Sequence, residues 1–348
     1  MAMRKYGFQQ SNSDHTLFLK KQRGKVIVLI IYVDDMIITR DDEEEIKRLQ
    51  EQLSTEFKMN LGGLKYFLGI EVARSRRGIF LSQRKYVLDL LTEVGMLDCK
   101  PADSSTVQNK KLGVYPDQEP ADKERYQRLV GKLIYLSHTR PYISYAVSLV
   151  SQFMHCLSKD HMDAVGRILQ YLKSAPGRGL MFSKNGHLDI EGYTDANWAG
   201  NLFDRKSKSG YFTFVGGNLV TWRSKKQKVV ALSSAEAEFK GMAKGLCELL
   251  WIRRLLSEIG FTPKSGMNLY CDNKVAIAIS QNPIQHDRTK HIEIDRHFII
   301  QNLEEGVICF PFVRSKDQLA DMLTKVVSNK NFRDSLNKLG IEDIFAPT

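Results

Sequence analysis

The order of secondary-structure signals after Gly186 narrows the possible folds more than any other feature of this 348-residue chain. The stretches HLDIEGYTDANW (187–198), SGYFTFVGG (209–217) and NLVTWRS (218–224) read as three consecutive strands, the last two joined through Gly216 and Gly217. A long helix over about 234–259 follows, then a short strand MNLYCD (267–272), a helix NKVAIAISQ (273–281), a helix over about 290–305, a strand GVICFPFV (306–313) and a helix DQLADMLTK (317–325). Three strands in sequence, followed by strands alternating with helices, predict a mixed sheet covered by helices.

The earlier part of the chain reads differently. Residues 16–40 give two strands around the turn KKQRGK (20–25), and the second, VIVLIIYVDDMIITR (26–40), sets Asp34 and Asp35 side by side in an apolar run. Ionised acids are costly to bury without a metal, a basic partner or a turn to solvent, so the pair needs a reason. A charged helix over about 42–57 comes next, then LKYFLGIEVARSRRGIFLSQ (64–83), which alternates like a hairpin turning at Arg76–Gly78, and a helix over 83–94. A polar stretch over 98–122 with Pro101, Pro116 and Pro120 reads as a linker. Beyond it, Tyr126, Leu129, Val130, Leu133 and Leu136 form the first of three helical stripes that predict core and suggest no chemistry; SAPGRG (174–179) punctuates their end.

Composition bears on the partner. Lys and Arg exceed Asp and Glu by 51 to 40, a formal net charge of +11, which favours a polyanion without choosing between nucleic acid and an acidic membrane. The longest unbroken apolar run, Val26–Val33, is far short of the ~20 residues a membrane helix needs, and MAMRKYGFQQ offers no signal-peptide core. Five scattered cysteines form no framework, which predicts reduced thiols in a soluble intracellular protein.

The acids carry the chemistry. Asp195 closes the first strand of the last domain and Asp272 the fourth, so the two are placed to converge at one end of a sheet. Glu236 and Glu238 open the long helix two residues apart, roughly 200° around the axis, so they cannot face one site. Ser233-x-x-Glu236 fits a capping box, leaving Glu238 as the site candidate. Asp321 is a fourth candidate inside the last helix, with Asp317 as that helix's N-cap. Taken singly, an acid at a strand end is usually a turn residue. Several converging carboxylates would repel one another unless divalent cations neutralise them; all-oxygen ligation suits Mg²⁺, with Mn²⁺ as the alternative, and two such ions about 4 Å apart would support phosphodiester hydrolysis. The histidines lack zinc spacing. Two basic clusters, DRKSKS (204–209) and RSKKQK (223–228), would ordinarily be solvated loops; beside a nuclease site their Arg205, Lys206, Lys208, Arg223, Lys225, Lys226 and Lys228 would grip phosphates.

An ordered set of motifs makes the reading sharper. YVDD, LKYFLGIEV, LSQRKYV, YQRLVGKLIYLSHTRPYISYAVSLVSQFM, YTDANWAG, SSAEAEF, LYCDN and RTKHIEID together resemble the C-terminal half of the Pol polyprotein of copia-type LTR retrotransposons over nearly the whole chain. The resemblance implies an α/β and α+β multidomain protein: part of a reverse-transcriptase palm and thumb over 1–100, a linker and helical connection over 101–186, a ribonuclease H-like mixed five-stranded sheet with flanking helices over 187–330, and a tail over 331–348. It implies that Asp195, Glu238, Asp272 and Asp321 are the nuclease's acidic set, binding two Mg²⁺, and that Asp34 and Asp35 are the polymerase's metal-binding pair at the tight turn of a palm hairpin. The partner implied is an RNA/DNA hybrid, with other Pol-derived subunits, in a cytoplasmic particle or the nucleus. A polymerase of this family also needs an aspartate from an upstream strand, and 33 residues precede Asp34, so the chain alone is expected not to polymerise unless a separate N-terminal half completes it. The segment FVRSKDQ lacks the histidine that cellular ribonucleases H often carry there, which bears on turnover, and Arg296 departs from the family pattern. The competing expectation is a catalytically silent nucleic-acid-binding remnant.

Overall fold

The computed structural model describes residues 2–22, 24–33, 35–39, 47–49, 51, 53–55, 62–106, 112–114, 117–201, 203–281 and 290–345. They form two compact units, one of residues 1–72 with 250–264 and the other of residues 73–249 with 265–348.

In the first unit a short helix α1 (Ala2–Lys5) precedes an antiparallel sheet in the order β1 (Gln9–Gln10), β2 (Leu17–Gln22), β3 (Lys25–Tyr32), β4 (Asp35–Thr39). The apolar run predicted as a strand is β3, and it buries Ile27 and Leu29 with Phe8, Leu49 and Leu53 because alternate side chains share a face. Glu258 closes the loop before β2, accepting from Ser11 Oγ at 2.5 Å and Ser13 Oγ at 2.8 Å. A hairpin of β5 (Tyr66–Phe67) and β6 (Ile70–Arg74) turns through Leu68 and Gly69, both with positive φ, as a two-residue primed turn requires.

In the second unit β7 (Gly78–Ser82) follows a turn in which Ser75 and Gly78 exchange backbone hydrogen bonds, where the sequence predicts one. Helices α2 (Arg84–Glu93), α3 (Lys123–Leu136), α4 (Ser144–Val150) and α5 (Lys159–Ser174) bury the predicted stripes, Tyr126, Leu133 and Leu136 among them completely. The segment read as punctuation holds a further strand, β8 (Arg178–Ser183), flanked by β7 and, from the far end of the chain, β14 (Ile341–Asp343). Residues 331–348 therefore contain structure: helix α9 (Asn329–Lys338) leads into β14.

The mixed sheet has the order β11 (Asn218–Lys226), β10 (Lys208–Val215), β9 (Ile190–Asn197), β12 (Met267–Tyr270), β13 (Ile308–Cys309). The first three strands are antiparallel, and β12 and β13 run parallel to β9, the mixed five-stranded sheet expected. Helices α6 (Ser234–Glu258), α7 (Lys274–Gln281) and α8 (Lys290–Glu304) supply the crossovers. The last strand is shorter than predicted: past Cys309 it continues through an isolated bridge between Cys271 and Phe312, with Pro311 unable to donate to the ladder.

One local expectation is corrected. DQLADMLTK is no α-helix but two short 3₁₀ turns, Ser315–Asp317 and Leu319–Leu323, separated by Gln318 in an extended conformation. Gln318 prevents a continuous helix because its side chain accepts from Ala320 N and donates to the Thr194 carbonyl of β9 at 3.0 Å. Gln318, not Asp317, is the cap, and Asp317 instead lies 3.5 Å from Lys338.

Candidate metal centre

The acids converge on the C-terminal ends of β9 and β12. Asp195 sits on β9, opposite Gly210 of β10. A Cβ at Gly210 would lie 2.5 Å from Leu323 Cβ, so glycine is what lets the 3₁₀ turn bearing Asp321 press against the sheet beside Asp195. That turn is held by Ser224 Oγ, which donates to the Leu323 carbonyl at 2.6 Å, and by the Gln318 bond to β9. Glu238 comes from the first turns of α6, where Ser233 Oγ accepts from Glu236 N at 3.1 Å and the Glu236 carboxylate accepts from Leu232 N at 2.7 Å. Glu236 is thus the capping residue, and Glu238, 5% exposed, faces the sheet. Close approach of the helix is permitted by Gly241, whose Cβ would meet Thr194 Oγ1 at 3.2 Å.

Carboxylate oxygens of Asp195, Asp272 and Asp321 lie within 4.8 Å of one another, and Glu238, Asp272 and Cys271 Sγ form a second such group. The four acids singled out in the sequence are therefore together, and Asp272 belongs to both groups. Burial holds the Asp195 carboxyl above the ordinary carboxylate range, with Asp272 adding to the rise. Burial, then the neighbouring Asp195, pushes Glu238 up to about 9, and the same two causes push Asp321 up to about 7. Cys271 is buried and its thiol is raised by that burial and by the Glu238 charge, and a hard divalent cation would favour the carboxylate oxygens over this sulfur.

Hydrogen bonds orient the set. The Thr324 hydroxyl donates to Asp195 Oδ2, and Ser315 Oγ donates to Asp272 Oδ2 at 2.7 Å. Lys325 Nζ lies 2.8 Å from Asp321 Oδ1, and Asp195 and Asp321 raise the lysine's own pKa against the pull of burial. Glu238 Oε2 is buried with no hydrogen-bond partner. A buried oxygen without a partner in an all-carboxylate cluster fits a hard divalent cation. Sequence reading missed Thr324, Lys325 and Ser315; the Thr-Lys pair directly after LADML is the signal that was available.

The other predicted residues are dispersed. Asp34 lies outside the described residues. Asp35 opens β4, exposed, and pairs with Tyr32 of β3. Of the basic residues, Arg205, Arg223, Lys225 and Lys228 are exposed, whereas Lys206 and Lys226 flank Asp204 at 3.9 and 2.9 Å. Lys208 is buried at 7% exposure rather than lying on a solvated loop. His161, in a cluster weighed for zinc, closes a capping box with Ser158 at the start of α5. Among the described residues no helix is long and apolar enough to cross a membrane.

Residues 1–108 match the reverse transcriptase (RNA-dependent DNA polymerase) family. A retrovirus-related Pol polyprotein from transposon RE1 of Arabidopsis thaliana is 42% identical over 96% of this chain. The putative transposon Ty5-1 protein YCL074W of Saccharomyces cerevisiae is 30% identical over 71% of this chain and 82% of its own length. The chain belongs to the copia-type retrotransposon Pol family. It spans 23% of the RE1 polyprotein, so it corresponds to about a quarter of such a Pol protein. Among solved structures, LC11-RNase H1 in complex with RNA/DNA hybrid aligns with 42% of this chain and 99% of its own at 16% identity, with a TM-score of 0.30.

Proposed function

We propose that this Pol-family chain carries a ribonuclease H that hydrolyses the RNA strand of RNA/DNA hybrids, with Asp195, Glu238, Asp272 and Asp321 holding two Mg²⁺, or Mn²⁺ in their place. The observation that supports this best is the convergence of Asp195, Asp272 and Asp321 within 4.8 Å at the strand ends of a ribonuclease H-like sheet, with Glu238 joined to the set through Asp272 and one of its buried oxygens left unsatisfied. Bound divalent ions supply an activated water and charge stabilisation at the leaving oxygen. The chain's own residues do the positioning. Thr324 and Ser315 each engage an oxygen of Asp195 and Asp272, which fixes how those carboxylates face the site. Lys325 offsets their charge, and the exposed Arg205, Arg223, Lys225 and Lys228 offer cations to a hybrid backbone.

In the same reading residues 187–330 are the nuclease domain, 101–186 the connection and 1–100 palm and thumb material, with Asp34 and Asp35 as the polymerase-type pair. The test is cleavage of an end-labelled RNA/DNA hybrid by the purified chain in Mg²⁺, beside Asp272→Asn. Cuts in the RNA strand are expected from the parent, reduced in the variant by at least ~100-fold, the scale on which even outer-shell partners of a metal site act. Equal cutting by the variant would refute the assignment. Hybrid binding without cutting by the parent would make the chain a silent nucleic-acid-binding protein.

A further inference from the structure

A cavity of about 590 Å³ in the second unit is lined by none of the four acids of the cluster. One wall is helical, with Tyr145 of α4 and Arg167 of α5; the other carries Lys206, Lys208 and Lys226 from the β9–β10 connection and the paired ends of β10 and β11. Lys208 is the unusual member. It is 7% exposed, its Nζ donates to Ser148 Oγ at 2.7 Å, and it stands 5.1 Å from the centre of the Tyr145 ring.

Among the described residues no carboxylate pairs with Lys208. Asp204, in the same β9–β10 connection as Lys206, is shared between Lys226 at 2.9 Å and Lys206 at 3.9 Å. Asp160 and Asp163 also line the cavity, yet the charge that acts on Lys208 is that of Lys226, of like sign. Burial and that repulsion push Lys208 down to about 7. A buried ammonium that no carboxylate contacts is destabilising, and it is relieved either by losing its proton or by an anion entering the cavity. Three lysines and the one carboxylate that two of them share leave this side net positive and offer several N–H donors, which suits an oxyanion with several acceptor oxygens. The volume is that of a small-molecule site, and Tyr145 adds an aromatic surface.

We propose that this cavity is a phosphate-binding site, with Lys208 as its buried cation, taking the phosphate either of a free nucleoside monophosphate or of a nucleic-acid strand. Thr324 and Lys325 line the cavity as well as the acidic cluster, so a strand lying across the cluster has a short path to it. The inference does not rest on the nuclease reading, and Asp272→Asn is expected to bind nucleotide like the parent.

The test uses the full chain, with inorganic phosphate and adenosine 5′-monophosphate as probes followed by ³¹P line broadening and thermal shift. Phosphate salts stabilise proteins generally, so the quantity that counts is the difference between the parent and Lys208→Met. Saturable binding by the parent, weakened ~10-fold or more in Lys208→Met, supports the site, since a tenfold loss is what ~1.4 kcal/mol of lost charge-assisted bonding produces. Ala164→Glu, which puts a carboxylate into the same cavity from a half-buried position of α5, is expected to block binding as well, and it serves if Lys208→Met does not fold. Titration of an RNA/DNA hybrid against salt separates the sources. A log–log slope shallower by about one in the variant assigns the site to a strand phosphate, whereas an unchanged slope with lost monophosphate binding assigns it to a free nucleotide. Neither monophosphate binding nor hybrid slope changing in the variants overturns the proposal.

Discussion

At the scale of single residues, the acidic cluster is a balance between repulsion and one ammonium. Asp195, Glu238 and Asp321 are all held above their ordinary range by burial, with Asp195 and Asp272 raising both Glu238 and Asp321, and Asp272 raising Asp195, and Lys325, 2.8 Å from Asp321, opposes that. Replacing the lysine should therefore leave the cluster more dependent on added cations. Lys325→Met is expected to melt at a lower temperature than the parent in chelator and to gain more from Mg²⁺; the two melting curves with and without the ion check this, and an equal gain in both proteins would count against Lys325 as the charge that offsets the acids. The acids themselves were legible in the sequence, because a carboxylate at a strand end has a fixed place once the strands are found. Lys325 was not, and Lys208 was read as part of a solvated basic cluster, its burial unseen. Whether a lysine stem reaches solvent or a cavity is decided by elements distant in sequence, here α4 across from β10.

At the scale of elements, the site depends on how closely a 3₁₀ turn can lie on a sheet. Leu323 packs where a side chain at position 210 would be, with a hypothetical Cβ 2.5 Å from Leu323 Cβ, an atom that cannot move without its backbone. Gly210→Ala is thus expected to cost about 1–3 kcal/mol, the usual range for overpacking, and to displace Asp321 from Asp195. Denaturant melts give the first effect and the Mg²⁺ concentration needed for thermal stabilisation gives the second; an unchanged ion requirement would mean that the turn does not position Asp321. The cap at the other side of the site is more local. Ser233→Ala removes the acceptor for Glu236 N and should cost about 1 kcal/mol without altering the ion requirement, because Glu238 is held by packing against the sheet. Most elements were readable from periodicity, including β9 to β11 and α6. The misses share a cause. β8 is a strand because it lies between β7 and β14, and β14 because it finds β8, and DQLADML has helical spacing but is broken by a Gln318 side chain whose bond to Thr194 no local pattern announces.

For the molecule as a whole, the same raised carboxyls link stability to pH and to cations. In the unfolded chain Glu238 and Asp321 titrate near their ordinary values of 4.5 and 3.8, while in the fold they are pushed up to about 9 and about 7. The folded state therefore holds more protons than the unfolded state between these limits, and stability falls as pH rises. The contribution is fully present below about pH 4 and is lost as pH climbs through 7 and toward 9. Divalent ions bind the ionised carboxylates, so they should restore most where the protons have gone. In chelator, the melting temperature is expected to fall more steeply between pH 6 and 8.5 for the parent than for Glu238→Gln, and the gain on adding Mg²⁺ to the parent should grow with pH over the same interval. Parallel slopes for parent and variant would place the pH dependence elsewhere in the molecule. A gain from Mg²⁺ that shrinks as pH rises would mean that the cluster does not bind the ion through its ionised carboxylates, and with that the case for two-ion hydrolysis at these four acids would lose its physical basis.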